Sequence, residues 1–139
     1  MSEVVSLEAV EKAIDLGLKQ QPEVEFLTGD FITWKLDRKT EYIRILKKLS
    51  GAIPTYACVG NHDGGLWAGS SHGYQDSSKV ESLLAAANIH CLVNQSTIEN
   101  IHGQALEITG LGDIWSRAAK PDSVLKKRRS HTTFHKECS

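Results

Sequence analysis

No apolar run in this 139-residue chain approaches the ~20 residues that cross a bilayer as a helix, so the sequence offers no transmembrane segment. Val4-Val5 is too short an apolar stretch for a secretory leader. Cysteine is scarce: Cys58, Cys91 and Cys138 form no short-spaced pair, which suits free thiols in a reducing, cytoplasmic compartment and argues against a thiolate-bound metal. Strong charge of either sign is missing too. The formal net charge is −1, yet residues 120–139 carry six Lys/Arg against two Asp/Glu, leaving −5 on residues 1–119. A mildly acidic body with a basic tail that lacks interleaved stacking aromatics gives no case for nucleic-acid binding. There is no internal repeat, and no Gly-rich phosphate fingerprint follows the first expected strand, which counts against a nucleotide-binding α/β module. What remains is a 40% apolar chain of a size that makes one domain or part of one.

The periodicity alternates between helix and strand. Ser6 is placed to cap a helix over Leu7–Gln20, where Leu7, Val10, Ile14 and Leu18 form one apolar stripe and Pro22 ends it. Val24–Thr28 reads as a short strand. A second helix, about Thr40–Leu49, turns Tyr42, Ile45, Leu46 and Leu49 inward, and Ser50-Gly51 closes it before a strand over Ile53–Val59. Helix–strand–helix–strand implies parallel neighbours joined by a right-handed crossover. Residues 63–78 are rich in Gly and Ser, long for a plain connection, and so expected to be functional or mobile. Ser78-Lys79-Val80-Glu81 has the capping-box form and opens a third helix to about Ala87. Ile89–Leu92 and Ala105–Leu111 read as strands, with a hairpin turn in Asn100–Gly103. Pro121 starts a further helical turn, after which no pattern continues and a disordered tail is expected from residue 126.

The chemistry sits at two strand ends. Phe26-Leu27-Thr28 stops at Gly29-Asp30, and Tyr56-Ala57-Cys58-Val59 stops at Gly60-Asn61-His62-Asp63. In open α/β sheets, ligands bind beyond the carboxyl ends of the strands, and parallel neighbours would bring Asp30 and Asn61 together there. Asp, Asn and His suit a metal of the Mn, Fe, Zn or Mg class. An Asp carboxylate can bridge two cations, an Asn amide oxygen binds one without adding charge, and a two-metal clamp stabilises entering and leaving oxygens at phosphorus. A neighbouring His can move a proton. Each residue also has a plainer reading. Asp30 could close an Asx-turn, and Asn61-His62 could be a turn with a surface imidazole. His90 and His102 read as surface or hairpin residues, while His72 lies in the Gly-rich stretch where it could face the site. Trp67 and Trp115 admit packing or groove-lining roles. Asp113 repeats the strand–Gly–Asp form but reads as structural, and Cys58 reads as a small core residue.

Gly29-Asp30 followed about thirty residues later by Gly60-Asn61-His62-Asp63 resembles the calcineurin-like metallophosphoesterases. The resemblance covers roughly residues 1–125. It implies an α/β fold, a partial calcineurin-like sandwich with a mixed sheet flanked by helices, and residues 126–139 as a basic tail. It implies a metal-dependent phosphoester hydrolase, phosphodiesterase-like, using two divalent metal ions (manganese among them) and hydroxide attack without a covalent intermediate. Asp30 would bridge both metals, Asn61 would ligate the second, His62 would contact the phosphate and protonate the leaving group, and Asp63 would orient His62. Gly110-Leu111-Gly112-Asp113-Ile114-Trp115 is similar to a bacterial phosphodiesterase branch acting at membranes. That likeness implies a phosphoester small molecule as partner, a nucleotide-lipid such as UDP-2,3-diacylglucosamine, and a place at the membrane periphery.

The chain departs from the family pattern at both ends. No strand ending in Asp-x-His precedes the first helix, and no Gly-His-x-His follows later. His131 and His135 stand in a stretch without strand or helix pattern. The alternative reading is therefore a catalytically inactive fragment, acting at most as a weak metal-binding or interaction module.

Overall fold

A computed structural model describes residues 5–124. The expected boundary at residue 125, the Lys126–Arg129 run, His131 and His135 all lie outside the described residues.

Helix α1 spans Leu7–Leu18, and the Ser6 hydroxyl accepts the Ala9 N–H at 3.2 Å, as an N-cap should. It buries Leu7 and Ile14, with Val10 and Leu18 packed at the margin of the same core. The helix stops two residues before the expected end, where Gln21 takes a left-handed backbone (φ 53°). Strand β1 (Glu25–Leu27) follows, then α2 (Lys39–Ser50), which buries Tyr42, Ile45, Leu46 and Leu49. Each large apolar side chain removed from water contributes about 1.5–3 kcal/mol, so this one face holds much of the layer together.

Strand β2 (Thr55–Ala57) lies parallel to β1, with Leu27 opposite Ala57, and β3 (His90–Cys91) lies parallel on its other side. The sheet order is β1-β2-β3, and α2 packs against both α1 and α4 (Ser78–Ala86). The regular ladders are shorter than the apolar runs in the sequence. Pairing nevertheless continues past them, through the Cys58 N–H on the Leu27 carbonyl (3.0 Å) and the Leu92 N–H on the Ala57 carbonyl (2.7 Å).

The Gly/Ser-rich stretch is more ordered than its composition implies. It contains a short helix, α3 (Leu66–Ser70), tied down by Gly65 N–H to the Tyr74 carbonyl and Gly73 N–H to the Ala68 carbonyl. The capping residue of α4 is Ser77, one position before the expected Ser78, and the Ser78 N–H is taken by the Asp76 carboxylate at 2.9 Å.

Strands β4 (Gln95–Ile101) and β5 (Gln104–Gly110) form an antiparallel hairpin turning at His102-Gly103, both with positive φ (50° and 80°). That is the two-residue geometry whose twist matches the flanking strands. Parallel and antiparallel pairing are both present, divided between two sheets rather than joined in one. Tyr56, pointing away from the helical layer, packs with Leu92 and Ile108 in a smaller core beneath the hairpin, and its hydroxyl bonds the Glu99 carboxylate. Residues 121–124 make the expected helical turn, with Val124 buried.

Candidate active site

The two loops leaving β1 and β2 touch through glycine. A side chain at Gly29 would come within 2.3 Å of the Gly60 nitrogen, and one at Gly60 within 2.2 Å of the Asp30 carboxylate. Gly29 also has φ 97°, which favours glycine. These residues let Asp30 and His62 meet: the His62 backbone N–H donates to Asp30 Oδ1 at 3.2 Å. Asp30 itself sits in the left-handed region (φ 58°), a conformation Asp tolerates at some cost and one that clusters at functional sites.

Asp63 does something the sequence did not suggest. Its carboxylate is fully buried and accepts N–H groups from Asp30 (2.9 Å), Ile32 (3.3 Å) and Gly60 (2.8 Å). Burial pushes its pKa up, against the pull of those backbone donors. One side chain thus ties both loops into a single unit. Below it, the Tyr42 hydroxyl donates to the Phe31 carbonyl at 3.1 Å, and burial holds that phenol neutral, its pKa pushed up to about 12. Asp63 is expected to orient His62, and its carboxylate hydrogen bonds run to the backbone N–H groups of Asp30, Ile32 and Gly60. The imidazole is held at Nδ1 by the Thr33 carbonyl at 3.1 Å. Because a carbonyl only accepts, Nδ1 carries a proton, and Nε2 is the atom left for chemistry. Asp63 and His62 are connected through the backbone of the two loops: Asp63 accepts the Asp30 and Gly60 N–H groups, and Asp30 accepts the His62 N–H.

Two indoles lie beside the imidazole. Trp67 meets it edge-on at 4.4 Å and Trp34 at 5.9 Å, and the indoles lie nearly parallel (8°) with centroids 6.4 Å apart. Trp34 had no signal in periodicity; its place in the loop four residues after Asp30 was the available clue. Of the other residues weighed from sequence, Asp113 is structural, its carboxylate accepting the Trp115 and Ser116 N–H groups (3.1 and 2.6 Å). That turn abuts Gly65 and leaves Trp115 exposed. His72 is exposed, His90 stacks on Tyr56, and His102 pairs with Glu23. Cys58 and Cys91 are free thiols, raised by burial.

Asp30 and Asn61 are oxygen donors at one edge, a set that fits a hard, largely hydrated divalent cation. Among the described residues, no group of three or more His, Cys, Asp or Glu is arranged to hold a metal, so these residues alone do not complete a two-metal centre.

At its strand ends the parallel sheet brings the Gly-Asp and Gly-Asn-His-Asp loops together. The chain belongs to the calcineurin-like phosphoesterase family, whose model matches residues 4–135. It is similar to "Phosphodiesterase YaeI" of Escherichia coli (strain K12), at 31% identity over 121 residues, which is 86% of this chain and 43% of that relative. The chain thus spans less than half the length of the curated relative it matches. No solved structure matches significantly. No helix among the described residues is long and apolar enough to cross a membrane.

Proposed function

We propose that the chain carries part of a metal-dependent phosphodiesterase centre in which Asp30 and Asn61 hold a divalent cation and His62 acts on the phosphoryl group. The observation that carries this reading is the Asp30–His62 contact across the β1 and β2 loops, knit by buried Asp63. Bound there, a cation supplies Lewis-acid polarisation of a phosphoryl oxygen. The chain's own part is positional. Asp63 and the paired glycines fix where Asp30 stands relative to His62. Thr33 holds Nδ1–H, so that Nε2 is the nitrogen turned to the leaving oxygen and, in the imidazolium form, the one that would give it a proton. Asp63 supports catalysis through the backbone of both loops.

A nucleotide-lipid such as UDP-2,3-diacylglucosamine, a binuclear manganese centre and a cytoplasmic location at the membrane periphery remain the finer proposals of the family resemblance. The competing reading, a catalytically inactive fragment acting at most as a weak metal-binding or interaction module, is favoured by one observation: among the described residues no group of three or more His, Cys, Asp or Glu is arranged to hold a metal. Hydrolysis of bis(p-nitrophenyl) phosphate with and without Mn²⁺ separates the two. Metal-dependent turnover lost in Asp30→Asn and His62→Ala supports the enzyme. A folded chain without turnover supports the inactive module.

A further inference from the structure

The reading of this site as a phosphoesterase centre leaves the indole pair beside His62 unexplained. Both tryptophans are placed by long-range contacts. The loop bearing Trp34 is pinned on either side, by the Thr33 carbonyl on His62 and by the Leu36 N–H on the Tyr74 hydroxyl (3.1 Å). Trp67 stands on the first turn of α3, which Gly65 N–H anchors to the Tyr74 carbonyl (3.1 Å). Tyr74 therefore holds both sides of the pair. A packing role alone would bury these rings, yet Trp34 is 45% exposed while its ring lies against Trp67 and His62. Its indole lies 5.9 Å from the imidazole whose Nε2 is available to a leaving group. A half-open aromatic face at that distance, on a loop pinned at both sides, suits stacking of a planar ring.

Resting on that phosphoesterase reading, we propose that Trp34 and Trp67 form a specificity platform that stacks a planar ring on the substrate's leaving side, so the site prefers phosphoesters bearing a nucleobase or an aryl group over aliphatic ones. Trp34 makes the ring contact, and Trp67 supports both Trp34 and His62 from behind. The preference is for the ring, whichever of the two sources supplies it.

The test is a binding titration followed by intrinsic fluorescence in a Trp115→Phe background, with Mg²⁺ present. The probes are AMP, phenyl phosphate, ribose 5-phosphate and inorganic phosphate. AMP is expected to bind roughly tenfold or more tightly than ribose 5-phosphate, in line with the usual worth of one stacked base. Phenyl phosphate is expected to exceed inorganic phosphate; a preference confined to AMP marks a nucleobase platform, and one shared by both marks a general aryl platform. Trp34→Leu is expected to remove the ring preference while leaving inorganic phosphate binding unchanged, and Trp34→Phe to retain most of it. Circular dichroism melting of each variant confirms the fold. Equal affinity for AMP and ribose 5-phosphate, together with phosphate binding, overturns the platform and spares the phosphoesterase reading. Failure of every probe, inorganic phosphate included, overturns both. An undiminished ring preference in folded Trp34→Leu overturns the platform alone.

Discussion

The loop junction at residues 29–33 and 60–63 and the β4–β5 hairpin are built by opposite means. The hairpin is local: neighbours in sequence pair along its length, its turn is two residues, and a Cβ at Gly103 would meet nothing within 4 Å. The junction is non-local. Asp63 reaches Asp30 and Ile32 some thirty residues away, glycines from both loops touch, and Asp30 is held in a left-handed backbone. Local rules suffice where only shape is needed. Where strained backbone, close approach and a buried carboxyl group coincide, the chain has spent stability on geometry, which is the expected mark of a functional site.

Breaking the junction should therefore cost far more than breaking the hairpin. Gly60→Ala sets a methyl against the Asp30 carboxylate, which can swing away, and 2.6 Å from the Asp30 backbone nitrogen, which cannot, and is expected to lose at least about 4 kcal/mol or fail to fold in denaturant titration. Asp63→Asn keeps one acceptor but turns an NH₂ toward backbone donors. A loss of about 2–3 kcal/mol is expected by urea unfolding, with His62 displaced in NMR spectra. Gly103→Ala strains only a turn at φ 80°, and about 1 kcal/mol is expected by the same assay.

The smallest effect belongs to the helix surface. Glu11 bonds Arg44 and Lys48, and those hydrogen bonds lower its pKa to about 2. A depressed carboxylate stabilises the fold above the ordinary carboxylate range and loses that contribution as pH falls toward about 2. Glu11→Gln should therefore lower Tm slightly and evenly across the neutral range and flatten the acid limb of the Tm–pH curve.

The same contrast decides what could be read in advance. Helices α1 and α2, the parallel pair β1 and β2 and the hairpin announce themselves through apolar spacing, a capping Ser6 and turn residues, and Asp30, Asn61 and His62 through their places at strand ends. Helix α3 was hidden because five residues among glycines and serines have no periodicity of their own, and tertiary bonds from Gly65 and Gly73 hold them. Asp63 is legible as part of its motif, but nothing in a linear motif reveals that its carboxylate also binds N–H groups on another loop. Trp34 was missed for the same reason.

Manganese binding, followed by electron paramagnetic resonance of the folded chain and of Asp30→Asn, tests the central claim that this junction holds a cation. The account predicts saturable Mn²⁺ uptake by the native chain and its loss in Asp30→Asn with the fold intact. Undiminished uptake by Asp30→Asn, or none by the native chain, would contradict it.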